Sequence, residues 1–114
     1  MAKRIKLMAD YDCFPLWAES GDLSPNIDPR TLSLSATTVA ALLGWADRYD
    51  ATLNRDDPKE SGFSTPSEAQ DFERQGLQLW STLQHELGAE FQVSFFSVQQ
   101  RRLLPWPPAV TGRT

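Results

Sequence analysis

Apolar and polar residues alternate along Arg-Ile-Lys-Leu-Met-Ala-Asp-Tyr, residues 4–11. Ile5, Leu7, Ala9 and Tyr11 fall on one side of an extended chain, the period-two pattern of a half-buried strand. The period then lapses. Residues 12–34 hold Pro15, Gly21, Pro25 and Pro29, with Ser24-Pro25 and Asp28-Pro29 as turn dipeptides, and read as a long loop. Trp17, Leu23, Ile27, Leu32 and Leu34 are its expected anchors on the core. From Ser35, a good N-cap, a stripe recurs in steps of three and four through Val39, Leu42, Leu43, Ala46, Tyr49 or Asp50, and Leu53. That spacing predicts a first helix, with Trp45 and Tyr49 widening one flank of the stripe and Asp47, Arg48 and Asp50 lying off it. A polar connection over residues 54–64 follows. Thr65-Pro66-Ser67-Glu68 combines a capping box with proline at the first helical position, and Gly88 stands where a helix would stop. Between them Ala69, Phe72, Gly76, Leu79, Trp80, Leu83 and Leu87 form the apolar stripe of a second helix. Gly76 lies inside that stripe at a cost of about 1 kcal/mol in helix propensity relative to alanine, which points to close approach by a neighbouring element. Residues 90–98 alternate again through Phe91, Val93 and Phe95, a second strand.

The order strand, long loop, helix, helix, strand gives an α+β fold in which a small sheet is covered by a pair of helices. The pattern leaves open whether the two strands run parallel. Residues 1–98 are expected to form a single domain. Residues 99–114, with Leu-Leu-Pro-Trp-Pro-Pro at 103–108, have little periodicity and read as a tail, either an extended polyproline segment with Trp106 docked or a mobile end, whose removal from residue 101 onward leaves folding intact.

Charge sharpens the picture. The formal net charge is −4, but all fifteen acidic residues fall between Leu7 and Glu90, against five basic ones: Arg30, Arg48, Arg55, Lys59 and Arg74. That middle region carries −10. Nucleic-acid binding depends on cationic side chains that neutralise phosphates, so such a field excludes it and favours a basic partner. Lys3, Arg4 and Lys6 at one end and Arg101, Arg102 and Arg113 at the other hold the remaining basic charge. The single cysteine, Cys13, leaves no internal disulfide and suits a reducing compartment. The N-terminus lacks the apolar run of a signal peptide or a membrane span. A cytoplasmic protein is expected, with no membrane contact.

Little in the chain supports catalysis. His85 is the only histidine, so neither a histidine metal set nor a His-mediated triad can be assembled. It sits near the end of the second helix, where it complements the helix dipole. Nothing beside Cys13 would lower its pKa. Asn54, Asp56, Asp57 and Glu60 are the best carboxylate group for a divalent cation, but Pro58 and Lys59 break the calcium-loop pattern. No phosphate-binding glycine loop is present. No catalytic, metal or cofactor residues are therefore expected. The competing reading is a small metal-assisted hydrolase or ligand-binding regulator using Asp10, Asp12, Asp47 and Asp50, two of them one helical turn apart.

Several runs of residues resemble a group of small bacterial proteins. They begin with Lys6-Leu7-Met8-Ala9-Asp10-Tyr11 and Pro15-Leu16-Trp17, and continue with Asn26-Ile27-Asp28-Pro29 and Leu32-Ser33-Leu34-Ser35. Trp45 through Asn54, Asp57-Pro58, Ser61-Gly62-Phe63, Leu79-Trp80 and Glu86-Leu87-Gly88 complete them, so that the likeness spans Lys6 to Ser97. Some members of that group look like immunity proteins of contact-dependent growth inhibition, made beside a toxin whose C-terminal domain they bind and silence. The resemblance implies a cognate toxin domain as partner, often a basic nuclease, and no chemistry by the chain itself. Its masking surface is then expected from Trp17, Asp47, Tyr49 and Asp50 together with Asp56, Asp57 and Glu60, with aromatic anchors for affinity and carboxylates for speed and selectivity. For Trp17 and Tyr49, core packing is the competing reading.

Overall fold

The computed structural model describes residues 3–19, 21, 25–53 and 62–106. Five strands are present among them: β1 (Lys3–Leu7), β2 (Leu16–Ala18), β3 (Asn26–Ile27), β4 (Phe91–Ser97) and β5 (Arg102–Leu104). Two helices, α1 (Ala36–Asp50) and α2 (Pro66–Leu87), lie between β3 and β4 in the chain. The sheet order is β3-β2-β1-β4-β5. The two strands expected from the sequence, β1 and β4, are central neighbours and run parallel, with Ile5 opposite Val93 and Leu7 opposite Phe95. All other pairings are antiparallel, so the α+β fold is a mixed sheet with a helical pair inserted in one parallel crossover.

Ile5, Leu7, Val93 and Phe95 are buried on the helix-facing side of the sheet. Trp45 of α1 stacks on Phe72 of α2 with ring centroids 4.5 Å apart, and Trp80 of α2 stacks on Phe95 at 5.5 Å. Both buried indoles keep a hydrogen-bond partner: Trp45 Nε1 donates to the Phe72 carbonyl (3.0 Å) and Trp80 Nε1 to that of Val93 (2.8 Å). Trp45 thus stands at the centre of the α1 stripe, not on its flank, while Val39 and Leu43 are only half-buried. The α2 stripe is buried as the spacing predicts, apart from half-buried Ala69. Gly76 lies where Trp45 and Phe95 converge. A Cβ there would stand 2.8 Å from Trp45 and 2.9 Å from Phe95, so the absence of a side chain sets the distance between α2, α1 and the sheet.

The helix boundaries follow their local signals. Ser35 Oγ accepts the Thr38 N–H (3.1 Å) and Thr65 Oγ1 accepts the Glu68 N–H (3.1 Å); Gly88 ends α2 with φ of 71°. Glu86, near the end of α2, adds a second cap to α1. Its carboxylate accepts the Ser35 N–H (2.8 Å) and the Thr38 hydroxyl. Those bonds hold its pKa below the usual carboxylate range.

Three strands depart from the sequence reading. β2 and β3 lie inside the supposed loop 12–34; at three and two residues they are too short for a periodic signal. β5 lies in the supposed tail, antiparallel to β4 with Phe96 opposite Leu103. It covers the outer edge of β4 only at Phe95–Ser97. At Phe91–Val93 that edge is closed by α2: Gln84 receives the Val93 N–H (2.8 Å) and donates to the Phe91 carbonyl (2.8 Å), beside the Trp80 bond to Val93. Beyond β5, Trp106 packs edge-on against Trp80 with centroids 5.5 Å apart. Arg102–Leu104 therefore completes the sheet edge and Trp106 covers core, where the sequence pattern reads a tail. No helix among the described residues is long and apolar enough to cross a membrane.

Candidate protein-binding face

β1 ends at Leu7, and the chain leaves the sheet through Met8–Pro15 before returning as β2. The period-two pattern overran this exit. Asp12 adopts φ of 59°, a left-handed conformation that a short polar side chain tolerates, and its N–H is taken by Asp50 Oδ1 at 2.9 Å. One residue earlier, Tyr11 stacks on Tyr49 with centroids 4.7 Å apart and 26° between planes. The Tyr11 and Thr52 hydroxyls approach to 3.4 Å. Two contacts spanning nearly forty residues of chain thus fasten the β1–β2 loop to the end of α1.

This end of α1 is unusually negative. Asp47 and Asp50 fall in its last turn, where the helix dipole already places negative partial charge. Asp10 and Asp12 arrive beside them on the loop. The basic residue of that turn, Arg48, is drawn away to α2, where it donates to Gln75 Oε1 and lies over the Phe72 ring. Burial, and then the carboxylates of Asp10, Asp12 and Asp50, push the Cys13 thiol above its ordinary pKa, so the cysteine stays a protonated, unreactive thiol at neutral pH. Burial, followed by the Tyr11 hydroxyl, likewise raises Tyr49. Asp12, Asp47 and Asp50 rim a hollow of about 260 Å³ whose apolar wall is Phe14, Leu43 and Ala46.

Of the residues singled out in the sequence, Asp47, Tyr49 and Asp50 come together here. Tyr49 is half-buried: one side meets Tyr11 and the other approaches Phe72, at 5.8 Å, so core packing and surface exposure are both true of it. Trp17 does not join them. It pairs with Lys6, whose neighbours Ile5 and Leu7 point to the helices, so Trp17 stands on the opposite face of the sheet, its Nε1 donating to the Met8 carbonyl at 2.9 Å. Asp56, Asp57 and Glu60 lie outside the described residues. The period-two pattern places Tyr11 on the strand, but β1 ends at Leu7, and the flanking Asp10 and Asp12 are the sequence signal of that end.

Among the described residues no three His, Cys, Asp or Glu side chains are grouped so as to hold a metal ion. His85 is exposed on α2, its Nδ1 donating to the Ser81 carbonyl at 2.8 Å, with its ring against Trp106.

None of the curated proteins compared with the chain matches it. The model of the Serratia CdiI immunity protein-like family, in contrast, matches residues 3–98, a span that runs from β1 through β4 and includes the acidic end of α1 and the loop fastened to it. The chain belongs to the Serratia CdiI immunity protein-like family.

Proposed function

We propose that the chain is an immunity protein that binds the toxin domain of a contact-dependent growth inhibition system and neutralises it by masking its active site or substrate groove. The toxin domain is basic, in keeping with a nuclease, and the chain acts in the cytoplasm with no chemistry of its own. The observation that carries this reading is the placing of Asp47 and Asp50 at the negative end of α1, with Asp10 and Asp12 brought in beside them. Like charges gathered against a helix dipole destabilise the free protein. A cationic surface that covers them turns that cost into binding energy and into fast association. The stacked Tyr11–Tyr49 pair supplies the rigid aromatic body that hot spots are built around. Asp56, Asp57 and Glu60, which follow α1 in the chain, add three carboxylates to its acidic middle region.

The test is co-expression with the toxin domain encoded beside the gene, read as growth rescue and as capture of the complex from purified components. Rescue by the native chain, weakened by joint Asp47→Asn and Asp50→Asn substitution, is the expected result. Failure of the native chain either to rescue growth or to capture the toxin domain would sink the proposal.

A further inference from the structure

The acidic hollow is not isolated. A second and larger hollow, of about 540 Å³, opens between the residues around β3 and the starts of β1 and β4. Phe14 and Asn26 wall both of them, so the two lie on either side of these side chains. The shared wall is held rigidly. The Asn26 side chain accepts the Phe14 N–H (3.0 Å) and donates to the carbonyls of Phe14 (2.8 Å) and Leu16 (3.1 Å). The larger hollow differs in chemistry: Ile27, Leu32, Leu87 and Phe91 give it apolar walls, with Lys3, Asp28 and Glu90 as the lining charges.

We infer that these two hollows form one docking groove for an extended segment of the partner, one that presents a lysine or arginine to the Asp12–Asp47–Asp50 end and a bulky apolar side chain to the Ile27–Leu32–Phe91 end. This rests on the immunity reading and adds to it the chemistry of the element recognised. Charge complementarity fixes the direction in which the segment lies. Among the described residues, three carboxylates and no cation line one hollow, while Lys3 stands with Asp28 and Glu90 in the other, so a cationic side chain gains more at the first. Apolar walls in the second reward a side chain that leaves water there. A wall already locked by three hydrogen bonds requires little ordering when the segment arrives, which favours affinity.

The test uses the full chain and the toxin domain encoded beside its gene. Ser33 is an exposed residue lining the larger hollow and lies outside the acidic face. Ser33→Trp should obstruct that hollow and weaken toxin binding about tenfold or more by calorimetry, with melting temperature unchanged. Gln78→Trp, on an exposed part of α2, should bind as the native chain does. Hydrogen exchange on the native complex gives a readout that needs no variant: residues 26–33 and 87–91 should gain protection when the toxin domain is added. Native affinity in Ser33→Trp, or no protection at those residues, would overturn the groove while leaving the immunity reading intact if Asp47→Asn with Asp50→Asn still weakens binding. Absence of any binding by the native chain overturns both.

Discussion

At Gly76 two effects of a single methyl group oppose each other. Alanine would raise helix propensity by about 1 kcal/mol. Its Cβ would also meet Trp45 at 2.8 Å and Phe95 at 2.9 Å, and both rings are fully buried among other rings and cannot swing aside. Overpacking of this kind costs about 1–3 kcal/mol. Gly76→Ala should therefore lower stability in a urea melt, and a stabilised variant would show that the α1–α2 spacing is wrong. Glu86 makes the second prediction at this scale. Its folded-state pKa is lowered chiefly by the Thr38 hydroxyl and the Ser35 N–H. The carboxylate thus contributes stability that is fully present above its ordinary value of 4.5 and is lost as the pH falls through the lowered value. Glu86→Gln should melt below the native protein at neutral pH, and the gap should close at acid pH. A gap that is the same at both would remove the charge from the account.

At the scale of elements, α2 is fixed at its start by Thr65 and along its length by a buried stripe, and the two contribute unequally. Thr65→Ala removes a cap worth about 1 kcal/mol. Trp80→Ala removes a fully buried ring together with its bond to Val93 and its stacking on Phe95, at a cost of about 3–5 kcal/mol. Urea melts of the two variants should rank in that order. β5 is the element whose weight is least evident from its three residues. Deleting residues 101–114 would free the backbone groups of Phe95 and Ser97 that β5 now pairs, and uncover Trp80. With each lost hydrogen bond worth about 1 kcal/mol and an exposed strand edge inviting self-association, the truncated chain should melt earlier and aggregate. Unchanged melting would mean that Gln84 and Trp80 alone protect β4.

For the molecule as a whole, charge is unevenly placed, and association kinetics should report it. The Debye length falls from about 30 Å at 0.01 M salt to about 8 Å at 0.15 M, so toxin association should slow markedly over that range while dissociation changes less. Neutralising Asp56, Asp57 and Glu60 together should reproduce the slow association at low salt. Tyr49→Ala should act mainly on dissociation, since it removes one ring of a stacked pair and leaves the long-range field unchanged. An association rate in stopped-flow mixing that ignores both salt and the triple substitution would dismiss electrostatic steering.

Signals that act within a turn or two of the chain were legible without coordinates. Ser35, Thr65-Pro66 and Gly88 mark helix ends because capping groups bond to backbone only a few residues away, and the α2 stripe and the β1 and β4 cores show because burial of one face imposes a period. The acidic excess is a property of composition and needed no fold. What the chain could not disclose locally depends on partners far apart in sequence. β2, β3 and β5 are too short to carry a period and exist only because an edge was available to pair with. The parallel register of β1 with β4 was decided by how a two-helix crossover returns to the sheet. Trp17 and Tyr49 are alike in sequence, each a candidate for the binding surface with core packing as the competing reading, yet pairing with Lys6 turned one to the far face of the sheet while stacking on Tyr11 held the other at the acidic end of α1. Hydrophobic patterning selects which side of an element is buried, but which surface residues become neighbours is set by packing between elements, and that the tertiary structure alone decides.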